Sequence, residues 1–256
     1  MKDNKLVVGT RKGLLTFVRE GREWRQQKVS FLAAPVTMVL PDPKNGSIYA
    51  ALRLGHYGVK LHRSDDGGSE WSEIAVPSFP ATQDSEGPSV EQIWSLERGG
   101  DDEPGVLWAG TLPGALFRSA DRGDSWSLVE SLWDRPERAN WFGGGYDVPG
   151  IHSICVDPRN SRHLTIGISC GGVWHSEDAG ESWELRTEGL WAAYMPPDQK
   201  HQPDIQDPHR IASCASSPDV LWTQHHNGVF VSRDRGVSWQ ECKDVPPSNF
   251  GFGVAV

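Results

Sequence analysis

The sequence predicts an all-β fold: a β-propeller of four-stranded antiparallel blades, about five of them, as a closed five-blade ring or as part of a larger propeller. Three observations predict it. An eight-residue box, Ser-x-Asp-x-Gly-x-x-Trp, occurs four times, at 64–71, 119–126, 176–183 and 232–239, and a worn copy at 17–24 keeps the Gly and the Trp. The tryptophans at 24, 71, 126, 183 and 239 are spaced by 47, 55, 57 and 56 residues, the period of a structural repeat rather than of one irregular domain. Each box also lies between short apolar runs of strand length, in a chain whose 28 glycines and 18 prolines suit many turns.

The repeat at 151–186 shows the elements in order. Residues 151–156 read as an inner strand, Asp157-Pro158-Arg159-Asn160 as a turn, and 163–168 as a second strand. Cys170-Gly171-Gly172 is a tight turn, 173–175 a third strand, and the box leads into a fourth at 183–186. Further inner strands are expected at 36–40, 92–96, 210–214 and 252–256. The chain begins at a second strand, 5–9, so two arrangements are open: head and tail complete one blade and close the ring, or the chain is a truncated member of a larger propeller. Residues 1–256 are expected to form a single propeller domain.

Within a box each residue has a job. Gly68, Gly123, Gly180 and Gly236 supply the positive φ of a hairpin turn. Asp66, Asp121, Asp178 and Asp234 can accept backbone N–H groups across it. Trp71, Trp126, Trp183 and Trp239 open the outgoing strand with a large apolar area to bury. The pattern resembles the Asp-box, or bacterial neuraminidase repeat (BNR), of sialidases, sortilin-type receptors, some endoglucanases and a photosystem II assembly factor. The segments VGTRKGL, GGVWHSEDAGESW and QHHNGVFVSRDRGVSW are similar to those of bacterial BNR-repeat glycosyl hydrolase or exo-alpha-sialidase-like proteins. That resemblance implies that the boxes are structural and lie away from any reacting centre.

Net charge is −9 and no long basic run occurs, which argues against a nucleic-acid partner. No stretch of signal-peptide character opens the chain and no run approaches ~18 apolar residues, so no membrane partner and a cytoplasmic location are expected. The four cysteines show no CxxC spacing and read as separate thiols.

Strand alternation sorts the loops onto two ends. The turns between first and second strands share one end with the boxes. The opposite end holds the turns between second and third strands and three long entering loops, 77–91, 131–150 and 188–209. Such loops exceed the ~2–6 residues a blade connection needs and point to function. Candidate ligand-binding residues on that end are Arg11, Arg53, His56, Trp141, His152, His209, Arg210, His225 and His226. Aromatic groups there can stack on a small polar or glycan ligand while charged groups orient it. The histidines are also of the donor type a metal needs, but no metal and no cofactor is expected.

The sialidase resemblance implies an arginine triad, a tyrosine nucleophile paired with glutamate, and an aspartate acid/base. Arg11, Arg53 and Arg210 are the candidate carboxylate binders, Tyr146 or Tyr57 the nucleophile, Glu91 its partner and Asp147 the proton donor. The Phe/Tyr-Arg-Ile-Pro segment of that family is replaced here by Gly9-Thr10-Arg11-Lys12-Gly13. The expected function is therefore a propeller with a glycan cleft on the long-loop end, whose enzymatic form is a sialidase-like glycoside hydrolase; the assembly-factor resemblance implies instead a non-catalytic scaffold with a protein partner.

Overall fold

The computed structural model describes residues 4–81 and 87–256. Nineteen described strands make five antiparallel sheets in chain order. β1 (Lys5–Thr10), β2 (Gly13–Glu20) and β3 (Glu23–Ser30) form the first. β4 (Val36–Pro41), β5 (Ile48–Arg53), β6 (Val59–Ser64) and β7 (Ser72–Ile74) form the second. β8 (Gln92–Arg98), β9 (Leu107–Leu112), β10 (Leu116–Ser119) and β11 (Ser127–Leu128) form the third. The fourth is β12 (Ile151–Val156), β13 (Leu164–Ile168), β14 (Gly172–Ser176) and β15 (Glu184–Leu185). The fifth is β16 (Pro208–Cys214), β17 (Ser217–His225), β18 (Gly228–Ser232) and β19 (Gln240–Cys242). Little else is regular: a one-turn helix, α1 (Glu130–Trp133), and short 3₁₀ turns, two of them at Pro136–Asn140 and Pro203–Ile205 in the long entering loops.

The sheets stack face to face, so their middle strands are covered on both sides. β5, β9, β13 and β14 are buried almost throughout, as a strand between two neighbouring sheets must be. Apolar clusters fill the gaps between successive sheets. Leu14 meets Val36 and Leu52, Tyr49 and Leu61 meet Ile93 and Phe117, Trp108 meets Ile154 and Trp174, and Val173 meets Ile211 and Phe230.

The boxes form the turns the sequence predicts. Gly68, Gly123, Gly180 and Gly236 have φ between 87 and 94°. In the fourth sheet Ser176 Oγ accepts the Gly180 N–H at 2.8 Å and donates to Asp178, whose carboxylate also accepts the Ser182 N–H at 2.9 Å. Each box tryptophan reaches back to the preceding sheet: Trp71 donates to Ser30 Oγ, Trp126 to the Ala75 carbonyl, Trp183 to Ser131 Oγ and Trp239 to the Arg186 carbonyl.

The innermost strands β4, β8, β12 and β16 lie side by side. Hydroxyls stitch them: Thr37 donates to the Ile93 carbonyl, Ser95 to the Ile151 carbonyl, and Ser153 accepts the Ile211 N–H. Each also carries a register shift near its start, at the second residue of β4, β12 and β16 and the third of β8, which takes Thr37, Trp94, His152 and His209 out of the ladder. A bulge of this kind re-aims a side chain.

One expectation is corrected. Residues 252–256 are not a strand, so the tail supplies no inner strand to the first sheet, which has three strands. The tail instead folds onto His209, where Phe252 stacks at 4.8 Å and Gly251 accepts a hydrogen bond, while Gln224 holds the Asn249 carbonyl. Among the described residues no packing comparable to the four sheet interfaces joins the fifth sheet to the first, and the ring is not closed.

Candidate ligand site

At the end opposite the boxes, the entering loop of the fifth sheet delivers Asp207 just before β16. Three connections pin it. Its N–H donates to His225 Nε2 at 3.1 Å, its carbonyl accepts the His226 N–H at 3.0 Å, and its Oδ1 accepts the Cys170 N–H at 3.2 Å. The turn after β17 and the turn after β13 thus hold one carboxylate that is almost wholly buried. A Cβ at Gly144 would lie 3.0 Å from Asp207 Oδ2, so the glycine run of the 131–150 loop also lies against it.

The other carboxylate oxygen, Oδ2, faces two imidazoles, His209 Nε2 at 3.2 Å and His226 Nδ1 at 3.5 Å. His209 Nδ1 donates to the Gly251 carbonyl at 2.6 Å. These ligand-type atoms of Asp207, His209 and His226 lie within 4.8 Å of one another and can hold a metal ion. An aromatic collar surrounds them. Tyr194, its hydroxyl donating to the Ile205 carbonyl, meets His226 edge-on at 5.0 Å, and Phe250 lies 5.6 Å from both His209 and His226.

Electrostatics follow burial and pairing. Burial resists charge on Asp207, but the His209 hydrogen bond and charge and the Cys170 N–H outweigh it and hold the carboxyl below its usual range. Burial likewise opposes charge on His209, and its bonds to Asp207 and Gly251 reverse the direction, raising it. His225 is pulled down to about 3 by burial and stays neutral. The Cys170 thiol is pushed up to about 12 by burial and the Asp207 charge, so it is no thiolate.

The sequence candidates divide among several places. His209, His225 and His226 converge on Asp207. Tyr146 and His152 meet across the ring of Trp94, at 5.0 and 5.8 Å. His152 is buried, bonded to Ser153 Oγ through Nδ1 and without a partner at Nε2, and burial pulls it to about 3. Arg210 donates to the His152 carbonyl at 3.0 Å and lines an axial cavity of about 390 Å³ with Glu97, Cys155 and Ser213. Arg53 pairs with Glu91 at 3.8 Å, and Asp147 is exposed. Arg11 and His56 are exposed in their turns, and no hydrogen bond, ion pair or ring contact among the described residues joins them to Asp207. Trp141 is only 6% exposed and packs edge-on against Trp174 at 5.8 Å, which makes it a core side chain. Part of the 77–91 loop, residues 82–86, lies outside the described residues.

Several residues of this cluster were not singled out in advance. Asp207 sits in the polar segment Gln206-Asp207-Pro208-His209-Arg210 and is, with Asp147 and Glu91, one of the acids available on this end, but nothing in the sequence marks it as a centre. Trp94, Phe250 and Phe252 carry no sequence signal, because a bulge and a folded-back tail place them. The box end is not bare either: Arg159 bridges Asp157 and Asp219, at 2.7 and 2.6 Å, beside His163 and Arg235.

No protein-family model matches the chain. It is 25% identical over 150 residues to a "probable oligoxyloglucan-reducing end-specific xyloglucanase" of Neosartorya fischeri, covering 58% of this chain and 17% of that protein. It is 25% identical over 158 residues to a sialidase of Bacteroides fragilis, covering 51% of this chain and 29% of the sialidase. A photosystem II assembly lipoprotein, Ycf48, of a Synechococcus species is 22% identical over 161 residues, covering 63% of this chain and 39% of that protein. The matched segments thus span well under half the length of each relative. A crystal structure of an ancestral GH74 enzyme superposes with a TM-score of 0.57 at 17% identity, covering 83% of this chain and 24% of that one. With its four boxes and stacked antiparallel sheets, the chain is a BNR/Asp-box repeat protein of propeller type. Its relatives include glycan-acting enzymes and an assembly factor.

Proposed function

We propose that this chain is a single propeller domain that binds a small polar ligand of the glycan class at the Asp207 end. The observation that carries the reading is the convergence of a buried carboxylate, three histidines and an aromatic collar from four separate segments at the end opposite the boxes. Carbohydrate sites combine such flat apolar rings with a few fixed polar groups. The xyloglucanase and sialidase relatives support the ligand class.

In the hydrolytic form of the reading, Asp147 is the proton donor and Tyr146, activated by Glu91, the nucleophile. A two-carboxylate mechanism would need acids ~5–5.5 Å or ~6.5–9.5 Å apart across the ligand. Glu91 already has a partner in Arg53, and Tyr146 leans on Trp94, so the tyrosine has a fixed orientation and the glutamate a competing charge. A panel of chromogenic glycosides, a sialoside included, together with xyloglucan oligosaccharides as binding probes, tests both levels. Turnover abolished by Asp147→Asn supports hydrolysis. Binding without turnover, weakened by His152→Ala, leaves a glycan-binding propeller, and neither binding nor turnover removes the glycan reading. The Ycf48 relative favours a second reading, a scaffold for a protein partner, for which Phe252 at 71% exposed and Tyr57 at 77% are suitable contacts. Recovery of one partner in equal amount, lost with Phe252→Ala, would select it.

A further inference from the structure

We propose that Asp207, His209 and His226 bind one divalent transition-metal ion of the zinc type, leaving one coordination position open to water or ligand. This inference stands apart from the glycan reading, since it rests on the donor geometry alone.

The spacing fits. Zinc bonded to nitrogen and oxygen at ~2.0–2.1 Å in a tetrahedron separates its ligand atoms by about 3.3 Å. The two separations from Asp207 Oδ2 are 3.2 and 3.5 Å. The donor set, two imidazoles and one carboxylate, suits zinc and its first-row neighbours rather than calcium or magnesium, which take oxygen ligands.

Proton accounting calls for one positive charge between the two groups. His209 Nδ1 gives its hydrogen to the Gly251 carbonyl. In the neutral ring, Nε2 then presents a lone pair to a carboxylate oxygen at 3.2 Å. Two buried acceptors at that distance repel unless a positive charge lies between them. Either a metal ion supplies it or His209 carries a second proton.

The supporting contacts are those a metal site needs. The Gly251 carbonyl sets the tautomer and ring orientation of His209, as outer partners of ligating histidines do. The Cys170 N–H occupies Oδ1 and leaves Oδ2 for the ion. His225 is excluded as a ligand because its Nε2 accepts the Asp207 N–H, so it holds the loop that presents the carboxylate. Access is from the His226 side, where the side chain is 39% exposed against 3% for Asp207. Three protein ligands and an open fourth position describe a site that can bind or polarise a ligand.

The test uses the full chain, free of any affinity tag and stripped with chelator. Titration calorimetry with Zn²⁺ should show one ion per chain, and Co²⁺ should give the intense visible bands of a four-coordinate complex. His226→Ala, a half-exposed change in a turn, should weaken Zn²⁺ binding at least ~100-fold. His163→Ala, at the box end, should leave it unchanged. Zn²⁺ should raise the melting temperature of the native chain, with little effect on His226→Ala. That comparison also shows that the variant folds. No saturable Zn²⁺ or Co²⁺ binding by the native chain, or equal binding by native and His226→Ala protein, would overturn the proposal and identify His209–Asp207 as an imidazolium–carboxylate pair.

Discussion

A box aspartate looks like an acid in search of chemistry, yet its oxygens are already taken by its own turn. Asp121 Oδ1 accepts from the Ser119 hydroxyl and the Ser125 N–H, and these bonds, led by those from Ser125, hold its carboxyl down to about 2. A carboxylate so occupied cannot serve as a proton donor near neutrality. That much was legible in the sequence, because a short acidic side chain five residues before the box Trp, in a turn, satisfies its own backbone. The titrating residue of interest lies nearby instead. His175, buried just before the box of the fourth sheet with Nδ1 on Thr165 Oγ1, is pulled down to about 4 by burial and by the Arg186 charge, against the Glu177 carboxylate. Its unfolded value is near 6.5. Between those values the unfolded chain takes a proton that the folded chain refuses. The His175 contribution to stability is therefore full above pH 6.5 and declines as pH falls toward 4. Melting temperatures across pH 7 to 4 should fall more steeply for the native chain than for His175→Gln; parallel curves would show that His175 does not titrate in this window.

At the scale of strands, inner-strand positions were readable from apolar runs, but the feature that aims the site was not. A bulge depends on which residue the neighbouring strand leaves unpaired, and a single strand's alternation does not encode that. Here the shift recurs at Thr37, Trp94, His152 and His209, and puts two histidines and a tryptophan at the ligand end. The tail was misread for a related reason. The apolar run 252–256 has strand character, but Phe250 and Phe252 lay their rings against His209 and stay largely exposed instead. The hydroxyl stitches between inner strands keep the bulges in register and need close backbone approach. A Cβ at Gly110 would sit 2.5 Å from the Ile151 carbonyl, which Ser95 already caps. Gly110→Ala should destabilise the chain by about 2–3 kcal/mol. Gly145→Ala, where a Cβ meets nothing within 4 Å, should stay within about 0.5 kcal/mol in chemical denaturation. Equal effects would refute the close-approach account.

Across the whole molecule, the period of the boxes encoded the sheet count and the order of packing, since each box tryptophan needs a preceding sheet to cover it. Trp183 shows this, only 7% exposed between the third and fourth sheets with its N–H on Ser131. Trp24, in the worn copy on β3, is 45% exposed. Trp183→Ala should cost about 3–5 kcal/mol and Trp24→Ala under about 1 kcal/mol in the same denaturation measurement. Comparable losses would mean that the tryptophans stabilise their own sheets rather than the interfaces. The asymmetry of loop length singled out in advance the end at which ligand binding is proposed. The central residue was not, because Asp207 acquires its meaning from Cys170, His225 and Gly144, which are distant in sequence.

The segregation of binding from the boxes is the central claim, and the twelve indole N–H signals report it directly. In an ¹⁵N-resolved spectrum titrated with a xyloglucan oligosaccharide and then with sialyllactose, the Trp94 signal should move while those of Trp71, Trp126, Trp183 and Trp239 stay in place. Shifts among the box indoles with Trp94 unmoved would contradict the account.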